Sequence, residues 1–216
     1  MLKCVIFDMD GTLLNTLPTI TYYLNVTLHQ FSLPSISEDE CRTYVGGGAR
    51  NLVLRTLAAR GVTDSSTAES FLRIYSGAYD SAPYYLTEAY PGIYSLIDEL
   101  RSRGIRLAVL SNKPDFATRS IADRFFGGSF DLVHGGRDNV PLKPARLAVD
   151  MMLSELGVYP YECAYIGDSE IDVSTGKNAE LGLTVGVSWG FRDRSALLGA
   201  DSIADTANEL LHILLS

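Results

Sequence analysis

The chain has 216 residues, enough for one large or two small domains with a substantial core, and its 18 Lys and Arg against 26 Asp and Glu leave a formal charge of −8. That balance, with no run of basic residues, excludes a nucleic-acid backbone as partner. Cys4, Cys41 and Cys163 lack the paired spacing of a zinc site or a secreted disulfide framework, and no apolar stretch approaches the about 18 residues that read as a membrane span, so the expectation is a cytoplasmic protein with no membrane partner. In chain order, Cys4 to Phe7 is a short apolar run that reads as a strand buried on both faces, and it ends at Asp8. From Thr16 to about Tyr85 apolar residues recur at helical spacing (Tyr23, Val26 and Leu28; Leu52, Leu54 and Leu57; Phe71, Ile74 and Tyr75), broken by Pro34, a glycine triplet and Gly61.

After Pro91-Gly92 the pattern alternates. A helix runs to Arg103, then come a strand from Ile105 to Leu110, a helix after Pro114, a strand near Phe130 to Val133 and a helix from Pro144 to Leu156. A strand from Cys163 to Ile166, a helix from Ser169 and a strand from Leu183 to Val187 follow. Repeated strand–helix units imply the α/β class: a Rossmann-like parallel sheet covered on both faces. Because one strand precedes the helical stretch and the others follow it, residues 1–14 and 86–216 form the α/β core and residues 15–85 a helical cap domain inserted after the first strand.

Ligands of parallel sheets bind beyond the carboxyl ends of the strands, and three strands here end in polar residues: Asp8, Ser111 and Asp168. Asp8 and Asp10, one residue apart in near-extended backbone, point the same way, and Gly11 lets the chain turn; alone, the pair reads equally well as an acidic turn. Asp168 stands at a strand tip with Asp172 one turn on, where Ser169 and Asp172 also make a capping box. Four carboxylates at one place repel by about 4 kcal/mol per pair at 4 Å and an effective dielectric of 20, so a cation is required. An oxygen-only donor set selects a hard ion, and Mg²⁺ suits it better than zinc. Lys143, ahead of Pro144, offers a fixed positive charge or is a surface lysine at a helix start. Ser111-Asn112-Lys113-Pro114 offers backbone N–H groups and a hydroxyl to phosphate oxygens, or is a helix cap.

Together these four segments resemble the haloacid dehalogenase-like phosphatases, and the length, inserted helices and motif order are similar to the phosphoglycolate phosphatase-like branch. The resemblance implies a Mg²⁺-dependent hydrolase of a small phosphorylated metabolite, phosphoglycolate among the candidates, acting through an aspartyl phosphate. By it, Asp8 is the nucleophile and Asp10 the general acid and base. Ser111, Asn112 and Lys143 bind the phosphoryl group. Asp8, the backbone carbonyl of Asp10 and Asp168 hold the metal, with Asp172 supporting them. The loop Val45-Gly46-Gly47-Gly48-Ala49-Arg50 resembles the specificity loop of capped members, which puts Gly47 and Arg50 near the substrate, Arg50 facing an anionic tail. Dehalogenases lack the second aspartate that this chain has at Asp10. Sugar-phosphate mutases of the family usually carry a cap histidine where this chain has Ile20, which weakens the mutase alternative, and Asn15 departs from the aspartate common at its position.

Other signals compete. Gly186-Val187-Ser188-Trp189-Gly190 matches a serine-hydrolase elbow, with Asp193 or Asp205 and then His212 in the appropriate order, but too little chain follows Ser188 to complete that fold. Ser174-Thr175-Gly176-Lys177 fails as a phosphate-binding loop because Ile171 stands where a glycine is required. A non-catalytic binding module or phospho-acceptor shares the acidic residues and the lysine, and is opposed by Asp10 and the inserted helices.

Overall fold

The computed structural model describes residues 2–216. Six strands form one parallel sheet in the order β5-β4-β1-β6-β7-β8: β1 (Cys4–Phe7), β4 (Arg106–Pro114), β5 (Leu132–Gly136), β6 (Cys163–Gly167), β7 (Leu183–Val187) and β8 (Ser202–Ala204). The first strand is therefore central, and both its faces are buried. Val5 and Phe7 pack with Leu107, Val109, Ala164 and Ile166 in one hydrophobic layer, whereas Cys4 and Ile6 pack with Ala108, Leu110 and Tyr165 in the other. That two-sided burial is why Cys4 to Phe7 is apolar without alternation. Cys4 and Cys163 are cross-strand neighbours and remain free thiols, as does Cys41.

The layer containing Phe7 is covered by α5 (Ile93–Ser102), α6 (Asp115–Phe126) and α9 (Ala207–Leu215), and the opposite layer by α7 (Leu147–Leu156), with α8 (Glu170–Asn178) packed on β6 and β7. Between β1 and α5 lie α1 (Leu17–Gln30), α2 (Glu38–Tyr44), α3 (Gly48–Ala58) and α4 (Ser65–Ser81). Their starts follow the local chemistry. Ser37 caps α2 through the Glu40 N–H at 3.1 Å, and Asp64 caps α4 through the Thr67 N–H at 2.8 Å. The chain leaves and re-enters the α/β unit side by side, through an antiparallel ribbon of β2 (Leu14–Asn15) and β3 (Glu88–Ala89).

Several boundaries differ from the sequence expectation. β4 continues through Pro114, β5 begins at Leu132 and ends at Gly136, and α7 begins at Leu147 rather than at Pro144. The residues after Lys143 form turns instead of a helical start, with the Ala145 N–H donating to the Leu142 carbonyl at 3.0 Å. Short β2, β3 and β8 carry too few residues to show any periodicity.

Candidate active site

The sheet register brings the polar strand ends together. Phe7 lies opposite Val109 on one side and Ile166 on the other, so Asp8, Ser111 and Asp168 leave the sheet at one edge. The Asp8 N–H donates to the Ile166 carbonyl at 2.8 Å, which extends the ladder as far as the carboxylate. All three residues line one cavity, together with Asp10, Lys113 and Lys143.

Lys143 Nζ sits 2.8 Å from Asp8 Oδ1 and 2.8 Å from Asp172 Oδ1. The contact to Asp172 is a hydrogen bond, but Asp8 Oδ1 meets the ammonium without hydrogen-bond alignment and is buried with no other partner among the described residues. Burial pushes the Asp8 carboxyl up to about 7, with Asp172 and Asp10 adding to the rise and Lys143 only partly opposing it. Burial likewise holds Asp168 well above the usual carboxylate range, reinforced by Asp172 and Asp8. For Lys143 burial pulls the other way, yet Asp172 and Asp8 outweigh it and the ammonium is held well above its ordinary value.

The other three carboxylates each have an anchor. Asp168 Oδ2 accepts from the Phe191 N–H at 2.6 Å, and Oδ1 accepts from Thr12 Oγ1 at 3.4 Å. Asp172 Oδ2 accepts from the Ser169 N–H at 3.1 Å, and Ser169 Oγ accepts in return from the Asp172 N–H at 3.3 Å, so Asp172 completes the capping box and still binds Lys143. Asp10 Oδ1 accepts from Thr16 Oγ1 at 2.6 Å, while Oδ2 lies 3.1 Å from Lys113 Nζ. Oxygens of Asp8, Asp168 and Asp172 come within 4.8 Å of one another. Three carboxylates thus face the one ammonium of Lys143, an imbalance that a divalent cation offsets, and the all-oxygen donors together with the unbonded Asp8 Oδ1 fit a hard ion.

Glycines make this packing possible. Gly11 has φ +84°, and a Cβ there would overlap the Asp168 carboxylate. At Gly190 a Cβ would strike the Asp168 side chain and the Gly11 carbonyl. Gly190→Ala should lower stability by roughly 1–3 kcal/mol through overpacking and displace Asp168. Gly77→Ala, in α4 with open space around it, should raise stability by about 0.5–1 kcal/mol. Thermal unfolding of the two variants checks both signs.

Residues 5–185 match the family described as haloacid dehalogenase-like hydrolase. The chain belongs to the haloacid dehalogenase-like hydrolases. Within them it is a phosphatase of the phosphoglycolate phosphatase-like branch. It is 35% identical over 212 residues to a phosphoglycolate phosphatase of Rhodospirillum rubrum, covering 95% of this chain and 88% of that one. It is 30% identical over 191 residues to the phosphoglycolate phosphatase of Aquifex aeolicus, with 88% and 86% covered. The crystal structure of a candidate phosphoglycolate phosphatase from Lactobacillus delbrueckii subsp. bulgaricus superposes with a TM-score of 0.92 at 32% identity, covering 98% of each chain.

Asp8, Asp10, Ser111, Asn112, Lys143 and Asp168 all line the cavity, and Asp172 binds Lys143 from behind. Ser111 Oγ accepts from the Lys113 N–H at 3.2 Å and keeps its own proton to donate. The Asn112 side chain is committed elsewhere. Its Oδ1 accepts from the Lys143 N–H at 2.8 Å, and its Nδ2 donates to the Gly46 carbonyl at 2.9 Å and the Lys143 carbonyl at 3.1 Å. Asn112 therefore positions Lys143 and ties the loop before α3 to the sheet.

Two expectations on that loop are corrected. Arg50 points away from the cavity into an exposed ion pair with Glu69, because it lies on the outer side of α3 where a carboxylate of α4 meets it. Gly47 precedes α3 and its carbonyl accepts from Asn51 Nδ2 at 2.8 Å; its neighbours Gly46, Gly48 and Ala49 line the cavity instead. Ser188 Oγ donates to Asp205 Oδ1, whereas the His212 ring bonds the Asn208 carbonyl of its own helix, so the serine-hydrolase order of residues is not matched by a triad. Lys113 and Arg192, neither given a role from the sequence, also line the cavity. Arg192 donates to the Arg42 carbonyl and, at 2.6 Å, to the Val45 carbonyl, joining the loop after β7 to the end of α2. Among the described residues no helix is long and apolar enough to cross a membrane.

Proposed function

We propose that the protein is a Mg²⁺-dependent phosphomonoester hydrolase that works through an aspartyl phosphate on Asp8, with a small phosphorylated metabolite as substrate. The observation that carries this reading is the charge arrangement at the end of β1. Asp8 and Asp168 share a buried cluster with Lys143 beside them, while Asp10 is held apart by Thr16 and Lys113. That separation supports a division of labour in which Asp8 attacks and Asp10 handles protons.

Asp8 and Asp168, with the Asp10 backbone carbonyl, are the groups that would hold Mg²⁺, and Asp172 fixes Lys143 behind them. When bound, the ion would neutralise phosphoryl charge and orient the ester for in-line displacement. Ser111 donates its hydroxyl proton to a phosphoryl oxygen, and Lys143 adds a fixed positive charge. Asp8 attacks phosphorus as the ester oxygen leaves, and Asp10 gives that oxygen a proton. Asp10 then takes a proton from the water that hydrolyses the aspartyl phosphate, which returns Asp8 to its carboxylate. Helices α1–α4 act as the cap, covering the cavity and selecting the leaving group. Ile20 of α1 lines the cavity, and no histidine does so among the described residues, which favours a phosphatase over a mutase.

Hydrolysis of p-nitrophenyl phosphate should be abolished by EDTA and restored by Mg²⁺, with acid-quenched enzyme carrying phosphate on Asp8. Turnover that persists in EDTA, or phosphate absent from Asp8, would sink the mechanism, and stable phosphorylation without turnover would favour the phospho-acceptor. Phosphoglycolate, the substrate named by the relatives, heads the list of metabolites to assay. Mg²⁺ should also raise the melting temperature of the wild type. In Asp168→Asn that response should be lost while metal-free stability increases, because one of three like charges has gone.

A further inference from the structure

The glycine triplet between α2 and α3 is seated in a slot on the α/β unit. Gly46 has φ +114°, and a Cβ there would stand 3.6 Å from Arg192 Nη2 and from Ile171 Cδ1. Gly48 has φ +83°, and a Cβ there would come within 3.0 Å of Leu142 Cδ1 on the other side. Left-handed backbone at both positions and the close approach at Gly48 require glycine. Val45, Gly46, Gly48 and Ala49 line the cavity, so this part of its wall is complete only while the loop is seated.

Two side chains of the α/β unit donate to the backbone of this segment. Asn112 Nδ2 reaches the Gly46 carbonyl, but Asn112 is equally bound to the Lys143 backbone. Arg192 is given over to the cap. Its two terminal nitrogens donate to the Arg42 and Val45 carbonyls, and its Nε lies 3.7 Å from Glu170 Oε2. Arg42 is in the last turn of α2, where carbonyls have no partner within the helix and the helix dipole favours a cation. The loop carrying Arg192 is itself fixed to the catalytic end of the sheet. The Phe191 N–H holds Asp168, and Trp189 Nε1 donates to the Thr12 carbonyl at 3.0 Å. At 19% side-chain exposure, the guanidinium can exchange its carbonyl partners for water, so the contact can open and re-form.

We propose that Arg192 is a positioning residue, a latch whose guanidinium holds the glycine loop of the cap on the α/β unit and so sets the fraction of molecules in which the cavity wall is complete. It acts through the loop and therefore on every substrate alike. The inference rests on helices α1–α4 serving as the cap of a phosphatase site.

The test compares wild type, Arg192→Gln and Arg192→Lys by hydrogen exchange and by kinetics. In ligand-free Arg192→Gln, amides of residues 41–52 should exchange about 10- to 100-fold faster, the range of a hydrogen bond to a charged group, with the β1 and β6 amides unaffected. KM for p-nitrophenyl phosphate and for 2-phosphoglycolate should rise by the same smaller factor, about 3- to 10-fold, because KM follows the closed fraction and exchange follows the opening equilibrium. Saturating substrate restores closure, so kcat should stay within about 3-fold. Arg192→Lys, which keeps the charge and loses the fork, should fall between, and it carries the comparison if Arg192→Gln does not fold. Unchanged exchange at 41–52, or acceleration shared equally by the β1 and β6 amides, would overturn the latch. A KM rise confined to 2-phosphoglycolate would make Arg192 a direct substrate contact, and a fall in kcat at constant KM would place it in the chemistry; either result also overturns the inference. Wild type that hydrolyses neither ester would overturn the phosphatase reading, and the exchange comparison would still decide the latch.

Discussion

Asp8→Asn is expected to reduce kcat on p-nitrophenyl phosphate by on the order of 10⁴-fold or more, the scale of losing a nucleophile, while making the metal-free protein harder to melt. The two effects have one cause. Asp8 is buried, and desolvation together with Asp172 and Asp10 makes its charge unfavourable even with Lys143 at 2.8 Å. An amide of the same shape removes that charge, and Lys143 keeps its hydrogen bond to Asp172. At about 2–4 °C per kcal/mol for a domain of this size, relief of even part of the repulsion should raise the melting temperature by several degrees without Mg²⁺. Added Mg²⁺ should reverse the order, since the variant has lost a ligand. A kinetic assay with thermal unfolding, with and without Mg²⁺, checks all three statements. Retained activity would remove Asp8 from the chemistry, and a lower metal-free melting temperature would contradict the charge argument.

The central sheet was legible because its strands are short apolar runs that end at polar residues. Cys4 to Phe7 and Leu183 to Val187 agree with the expected limits, and Cys163 to Ile166 falls one residue short. What sequence periodicity could not show was how β4 continues past Leu110. Its last residues, Ser111 to Pro114, are polar or a proline, and the strand carries them past an irregularity in its register with β5 before Pro114 comes opposite Gly136. The start of α7 was misplaced for a related reason. Pro144 is acceptable in a first helical turn, but the Lys143 backbone is held on both sides by Asn112, and the helix begins only after a turn.

The site was legible where a motif carried it and illegible where only packing did. Asp8, Ser111 and Asp168 converge because parallel register makes neighbouring strand ends converge, Asp10 follows Asp8 closely in the chain, and Lys143 joins them because Asn112 holds its backbone. Asp172 could be read as a cap or as a support, and it is both. Lys113 stood inside a recognised segment but has no meaning until Tyr79 of α4 is placed beside it, 34 residues away in sequence. Arg192 was still less accessible, since its partners are carbonyls, which any residue possesses. Arg50 shows the converse. Its position in a specificity-like loop pointed to the substrate, yet Glu69 on the adjacent helix offers it a nearer anion.

Asp10→Asn should separate the two halves of the reaction and, unlike Asp8→Asn, should destabilise the protein. Asp10 is the anionic partner of the buried Lys113, and removing one member of a buried pair costs about 3–5 kcal/mol, which corresponds to a fall of about 10 °C in melting temperature. Thr16 can still donate to the side-chain oxygen of the asparagine, so orientation is kept while charge is lost. With p-nitrophenyl phosphate the leaving group departs without a proton, and Asp8 should still be phosphorylated. The aspartyl phosphate then waits for a base. Rapid-quench kinetics should therefore show a burst of about one equivalent of p-nitrophenol, followed by turnover slowed by about 10²–10⁴-fold. With ethyl phosphate, whose oxygen must be protonated to leave, no burst should appear. A burst with both esters would mean that Asp10 is not the acid, and wild-type turnover after the burst would mean that it is not the base. A single burst, confined to the aryl ester, assigns both proton transfers to one carboxylate and explains why a buried lysine is placed to hold it.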